Sequence, residues 1–250
     1  MSPLRPLLIA LAFLTRIPVP SPGRVSSRDA GLSLVAYPVV GVILGAALIG
    51  VALVTQPLPP LLQAALLVGA WVFLTGALHL DGLADSADAW VGGLGDRERT
   101  LAIMKDPTCG PIGVTAVVLI LLIKTAAVAA LVEHAWLAVP MAVVAGRCAL
   151  VALFVTTPYV RPGGIGETLA QYAPRASSAA VAVMVASGAT FLAGLPGIGA
   201  LVFGAVVLVA VQHAMARRIG GTTGDTAGAA VELTETAALL GAAATAVWLY

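Results

Sequence analysis

Long apolar runs separated by short polar stretches dominate the chain. An α-helix needs about 20 mainly apolar residues to cross a bilayer. Windows of that length select seven predicted spans: 32–55, 58–79, 111–132, 136–157, 179–196, 198–216 and 229–249. The pattern therefore predicts an all-α polytopic integral membrane bundle of six to seven transmembrane helices, forming a single domain over residues 1–250.

A shorter apolar run, Leu7 to Leu14, follows Arg5 near the N-terminus. It resembles the first two regions of a signal peptide, but Arg16 and prolines follow it in place of a small-residue cleavage site. We interpret it as a retained amphipathic or re-entrant segment, and whether it spans the membrane is left open.

The composition supports the membrane assignment: 60% of residues are apolar, 10% are charged and the mean hydropathy is +1.02. A soluble domain would carry roughly a quarter charged residues. The net charge of +1 gives no indication of nucleic-acid binding. Cys109 and Cys148 lie far apart, which predicts neither a disulfide framework nor a zinc site.

The basic residues outside the predicted spans gather in regions that alternate spans place on one side of the membrane: 5–28, 97–105, 161–175 and 217–218. The opposite loops, near residues 56, 133–134 and 196–197, contain no lysine or arginine. Because basic loops stay in the cytoplasm, this pattern predicts a cytoplasmic N-terminus.

Three aspartates, Asp81, Asp85 and Asp88, follow the second predicted span closely. On a helix, spacings of four and three place them on one face within about 60° of arc. Like charges on one face repel one another, so the arrangement costs stability unless a cation lies among them. Hard oxygen ligands suit Mg²⁺ that also carries a phosphate-bearing substrate.

A second polar block runs from residue 217 to residue 235 and falls on the same predicted side. Its glycines would let the backbone approach a phosphate closely. Tight helix packing is the alternative role for glycines spaced like Gly224 and Gly228. The substrate-binding candidates from this block are Arg217, Arg218, Gly221, Thr223, Glu232 and Glu235.

The loop after the aspartates combines glycines with basic residues, which suits closure over a polyphosphate. Its substrate-binding candidates are Arg97, Arg99, Lys105 and Asp106. A solvated cytoplasmic loop would show the same charges, but the nearby aspartates favour the functional interpretation.

Lys124 and Arg147 are the basic residues that fall inside predicted spans. An intramembrane cation indicates a functional site by default. The alternative is structural pairing with Glu232 or Glu235 at the start of the last span.

Five motifs, in order along the chain, resemble the cobalamin synthase family, the adenosylcobinamide-GDP ribazoletransferases. They are Phe13-Leu-Thr-Arg-Ile-Pro-Val-Pro20, Tyr37-Pro-Val-Val-Gly41, Leu80-Asp-Gly-Leu-Ala-Asp-Ser-Ala-Asp88, Ile103-Met-Lys-Asp106 and Gly220-Gly-Thr-Thr-Gly-Asp-Thr-Ala-Gly-Ala229. The segment from Pro107 to Gly113 departs from the family pattern, and its prolines argue against a catalytic role for its side chains.

The resemblance implies a Mg²⁺-dependent enzyme of the bacterial inner membrane with its active site on the cytoplasmic side. Its substrates would be adenosylcobinamide-GDP and α-ribazole or α-ribazole 5′-phosphate, and GMP would be released. A homo-oligomer is left open. Under this hypothesis Asp81, Asp85, Asp88 and Asp225 hold metal, while Asp85 or Asp88, or less favourably His79, acts as a catalytic base.

Two other functions are weighed against this one. CDP-alcohol phosphotransferases also place metal-binding aspartates on membrane helices, but Ser86 and the absence of a nearby arginine depart from their pattern. A cation-coupled transporter could use Lys124, Arg147, Glu232 and Glu235 as an ion path. The chain shows no convincing internal repeat of the kind such transporters carry.

Overall fold

The computed structural model describes residues 4–248, which form helices joined by short loops. The helices are α1 (Arg5–Leu14), α2 (Ser27–Ser33), α3 (Tyr37–Thr55), α4 (Pro60–Thr75), α5 (Leu78–Gly92), α6 (Arg97–Ile103), α7 (Pro111–Leu131), α8 (Ala138–Thr156), α9 (Ile165–Tyr172), α10 (Arg175–Ile219) and α11 (Gly224–Ala246). A 3-10 turn, Leu34–Ala36, joins α2 to α3. The all-α membrane bundle predicted from the apolar pattern is confirmed.

Four helical segments within residues 4–248 are long and apolar enough to cross a membrane: Ser27–Thr55, α7, α8 and α10. The bent pair of α4 and α5 makes a fifth if it counts as one span. The predicted number of seven spans stays a prediction. Helix α1, with 10 residues, extends about 15 Å and is too short to cross by itself.

The second predicted span, 58–79, is interrupted. Gly76 and Ala77 both adopt left-handed backbone conformations, and α5 leaves the axis of α4 at 90°. The N-terminal segment is fixed at this corner, because the Arg16 amide donates a hydrogen bond to the Leu74 carbonyl. The bend places the aspartate-bearing α5 outside the four spanning segments.

Helix α10 is interrupted at Gly194, whose φ of 64° and ψ of −141° are not helical, and Pro196 follows. Its 45 residues would extend about 68 Å as a straight helix, roughly twice the hydrocarbon thickness of a bilayer. The interruption falls at the boundary between the predicted spans 179–196 and 198–216.

Helix α11 packs against α5, α7, α8 and α10 and forms the centre of the bundle. It begins at Gly224 and not at residue 229, while residue 249, the predicted end of the last span, lies outside the described range. Sixteen of its residues are buried, which explains how the acidic side chains of α11 come to lie inside the protein.

A buried ion-pair network ties α11 to α7 and α8. The Lys124 ammonium contacts the carboxylates of Glu232 and Glu235 at 2.6 Å each, and Arg147 pairs with Glu235. Lys124 also lies 4.5 Å from the ring centre of Trp71. Two cations balance two anions, so the structural pairing considered for Lys124 and Arg147 is what the fold shows.

We expect Lys124→Met to destabilise the protein by about 3–5 kcal/mol, because it leaves an unbalanced carboxylate in the bundle. The double variant Lys124→Met/Glu232→Gln restores neutrality and should recover much of that loss. Thermal unfolding of the purified protein in detergent measures both. Lys105→Met, at an exposed position, is the control; equal destabilisation by the single and double variants would contradict the charge-balance account.

Candidate active site

Helices α5 and α11 cross at two glycines, which brings the two predicted acidic segments together. A Cβ atom at Gly82 would lie 2.6 Å from the Asp225 carbonyl oxygen, and one at Gly228 would lie 3.2 Å from the His79 carbonyl oxygen. The packing role considered for Gly228 therefore holds. The close approach sets Asp81 and Asp85 of α5 beside Asp225 at the start of α11.

The carboxylates of Asp81 and Asp85 have no hydrogen-bond or ion-pair partner in the described part of the chain. Partial burial raises the pKa of Asp85 to about 6, and repulsion from Asp81, Asp225 and Asp88 adds to that shift. Arg161 acts in the opposite direction. The structure thus gathers carboxylates whose mutual repulsion is only partly compensated.

The carboxylate of Asp88, unlike those of Asp81 and Asp85, has hydrogen-bond partners. Its two carboxylate oxygens accept hydrogen bonds from the backbone amides of Gly110 (2.7 Å) and Gly113 (2.9 Å). A Cβ at either glycine would collide with the carboxylate. Asp88 therefore joins α5 to the beginning of α7, and the segment from Pro107 to Gly113 contributes backbone amides here.

Asp225 forms an ion pair with Arg161, whose Nη1 lies 2.5 Å from Oδ2. Backbone hydrogen bonds from the Thr222 amide to the Pro158 carbonyl and from the Val160 amide to the Thr222 carbonyl align the two segments. On sequence alone, Arg161 indicates only the membrane topology. The signal that could have found it is an arginine beside two glycines on the same predicted side as the aspartates.

Two of the predicted phosphate-binding arginines hold a loop in place. Arg97 Nε donates to the Ile219 carbonyl at the end of α10. Arg218 donates to Thr100 Oγ1 and to the Trp90 carbonyl, and it lies over the Trp90 ring. These contacts fasten α6 and the end of α5 to α10.

The other basic candidates, Arg99, Lys105 and Arg217, are exposed, and their side chains have no partner among residues 4–248. Asp106 accepts two hydrogen bonds from Thr108. Both of these bonds are accepted by Oδ1, so Asp106 is held within its own loop. None of the three cations contacts the carboxylates of α5 or α11 in the described chain.

The remaining candidates of the second polar block have structural surroundings. Gly221 packs against the Pro158 carbonyl, and Thr223 is the N-cap of α11 in a reciprocal pair with Thr226. Glu232 and Glu235 belong to the buried ion-pair network. A substrate-binding role for these residues stays a prediction.

His79 is buried, and its Nε2 atom has no hydrogen-bond partner in the described chain. It lines a cavity of about 180 Å³ together with Asp81 and Asp225. The rest of the wall is mainly apolar and comes from α1, α3, α5, α8, α9 and α11. The carboxylates therefore lie at the edge of an apolar cavity.

The carboxylate cluster fits a divalent cation through the chemistry of its donors. No three acidic, histidine or cysteine side chains within residues 4–248 are already arranged as a metal site. Asp81 and Asp85 nevertheless offer free carboxylate oxygens, and Mg²⁺ typically binds one or two carboxylates while substrate phosphates complete its shell. Magnesium binding stays a prediction that this donor set supports.

The fold and site define a polytopic all-α membrane protein with a carboxylate cluster beside an apolar cavity. A family model described as cobalamin-5-phosphate synthase matches residues 6–243. The chain belongs to this family, as the five sequence motifs predicted.

Curated relatives include proteins named adenosylcobinamide-GDP ribazoletransferase. Those of Stutzerimonas stutzeri (52% identical), Pseudomonas savastanoi pv. phaseolicola (50%) and Pseudomonas aeruginosa (50%) align with 95%, 94% and 95% of this chain and with 97% of each relative. No solved structure matches the chain significantly. The relatives are transferases by name, which disfavours the transporter alternative.

We expect Asp85→Asn to raise the melting temperature at pH 8 in the presence of a chelator. The folded pKa of about 6 exceeds the unfolded value of about 3.9, so ionised Asp85 destabilises the fold above pH 6. The gain should shrink as the pH falls from 6 to 4, where the carboxyl is neutral in both states. Thermal melts across this pH range measure it.

Asp106→Asn is the matched control, because hydrogen bonds from Thr108 lower the pKa of Asp106. Its removal should not stabilise the protein at pH 8. An Asp85 variant that melts at or below the wild-type temperature at pH 8 would show that repulsion does not govern this position.

Proposed function

We propose that the chain joins the two halves of cobalamin, transferring the adenosylcobinamide phosphate group from adenosylcobinamide-GDP to α-ribazole or α-ribazole 5′-phosphate. The observation that carries the proposal is the carboxylate cluster with Arg161 at the edge of an apolar cavity. The names of the relatives supply the substrates.

The reaction is a substitution at phosphorus. A ribose hydroxyl oxygen of the acceptor forms a bond to the phosphorus that carries the corrinoid arm. The phosphoanhydride bond breaks, GMP leaves with the electron pair, and the hydroxyl proton passes to a base. Phosphoryl transfer asks the protein mainly to position the reactants and to neutralise charge.

Asp85 is the better of the two predicted aspartate bases, since both of its oxygens are free while those of Asp88 accept backbone hydrogen bonds. Asp81 and Asp225 line the cavity and would hold Mg²⁺ there. The ion would neutralise the diphosphate charge. Asp88 would position α5 by fastening it to the start of α7.

The positive charge of Arg161 lowers the pKa of both Asp85 and Asp225, and the Arg161 side chain is partly exposed. A guanidinium binds phosphate oxygens in a two-pronged geometry. We assign Arg161 to the diphosphate of the donor. The exposed cations Arg99, Lys105 and Arg217 are more distant candidates that would attract the anionic substrate.

We place this site on the cytoplasmic side of the bacterial inner membrane. The distribution of basic residues among the predicted loops supports that orientation. Contacts of Arg97 and Arg218 also bring two of the basic regions together at the end of α10.

Incubating the purified protein with adenosylcobinamide-GDP, α-ribazole and Mg²⁺ tests the function directly. We expect the reaction to form GMP and adenosylcobalamin in equal amounts, and chromatography measures both products. Asp85→Asn should lower turnover by about 10²–10⁴-fold, the contribution typical of a general base. A folded wild-type protein that forms no product would overturn the proposed function.

Arg161→Ala should lower kcat/KM for the donor by roughly 10²–10³-fold, the loss typical of one charge-stabilising donor. It also frees Asp225, so less Mg²⁺ should be needed for half-maximal activity. Arg217→Ala, at an exposed arginine without a partner, should change kcat/KM only a few-fold. A larger loss for Arg217→Ala than for Arg161→Ala would reverse the assignment.

A further inference from the structure

The lining of the cavity beside the carboxylates combines two kinds of group. His79, Asp81 and Asp225 contribute polar atoms. Most of the other side chains are hydrocarbon, including those of Phe13, Leu150, Phe154 and Leu169, while Tyr37 contributes a ring that carries a hydroxyl group. A ligand that fits must therefore present an apolar surface to the hydrocarbon side chains and polar groups to the carboxylates.

The size of the cavity limits which part of a substrate it can enclose. Its volume is about 180 Å³, below the roughly 300–1,000 Å³ of pockets that enclose a whole drug-sized ligand. A corrin macrocycle is far too large. A planar bicyclic base is of the right order.

Two bicyclic bases occur in the proposed reaction, and the polarity of the wall distinguishes them. Guanine has a carbonyl, a ring N–H and an amino group on its outer edge, and burying these without partners is costly. The dimethylbenzimidazole base of α-ribazole has an outer edge of hydrocarbon only. The apolar wall can cover that edge without leaving a polar group unpaired.

We propose that this cavity is the specificity pocket for the acceptor base, with the α-ribazole ribose directed toward Asp81 and Asp225. The inference rests on the proposed function and deepens it. It makes Leu150, Phe154 and Leu169 specificity-determining residues, none of which the sequence motifs had singled out.

Leu150→Ala and Leu153→Ala form a matched pair for the test. Both leucines are fully or almost fully buried on α8, but only Leu150 lines the cavity. Leu150→Ala should raise KM for α-ribazole by about tenfold or more, as expected for lost apolar contacts in a specificity pocket. KM for adenosylcobinamide-GDP should stay within about twofold, and Leu153→Ala should leave both KM values near wild type.

An acceptor with a larger base distinguishes a specificity role of Leu150 from a purely structural one. The ratio of kcat/KM for a naphthimidazole riboside to that for α-ribazole should increase about tenfold in Leu150→Ala, since the truncation creates space for the added ring. The ratio should not change in Leu153→Ala. A rise in the donor KM alone, or equal effects of the two variants, would overturn the pocket assignment.

Equilibrium dialysis of α-ribazole without the donor separates this inference from the proposed function. Weaker binding to Leu150→Ala than to Leu153→Ala supports the pocket even if wild-type protein forms no product, and equal binding refutes it. If the wild-type protein forms no product, that result contradicts the proposed reaction but not the pocket assignment.

Discussion

Helices α5 and α11 approach so closely at Gly82 that a single methyl group there would collide with the Asp225 carbonyl. This crossing, completed by Gly228, determines where the acidic residues of both helices lie. It sets Asp81 and Asp85 near Asp225 although well over a hundred residues separate them in sequence. Because neither glycine carries a side chain, the two backbones pack closely there. The contact that joins the helices therefore also determines the position of the carboxylates.

The acidic residues of helix α11 lie in two different environments. Glu232 and Glu235 lie inside the bundle and are balanced by two cations, as the low polarity of the interior requires. Near the start of the same helix, Asp225 lies beside Asp81 and Asp85. The positive charge of Arg161 partly balances the negative charge of these three aspartates. The first group holds the helix in place. The second group keeps an excess of negative charge at a position that solvent can reach.

The sequence predicted those features that depend on short-range pattern. Helical spacing placed the three aspartates of α5 on one face, and the apolar windows located the ends of α7 and α8 to within about two residues. The 90° bend at Gly76 was not predicted, because the apolar run continues through it. Arg97 and Arg218 illustrate the same limit. Their sequence context suits phosphate binding, but their partners are two carbonyls and the Thr100 hydroxyl, which they reach only after α5 and α6 pack against α10. Local pattern carries no information about such long-range partners.

The polarity of the site gives the two proposed substrates different requirements. A diphosphate is strongly anionic and would be repelled by Asp81, Asp85 and Asp225 unless a cation accompanied it. The nucleoside part of the acceptor is neutral in both proposed acceptors, and its hydrocarbon-edged base would gain from leaving water for the apolar side chains near Phe154. Charge therefore governs binding of the diphosphate donor, and burial of apolar surface governs binding of the acceptor base. In the proposed arrangement the acidic residues would lie between the diphosphate and the base, so the ribose hydroxyl and the phosphorus would meet beside them.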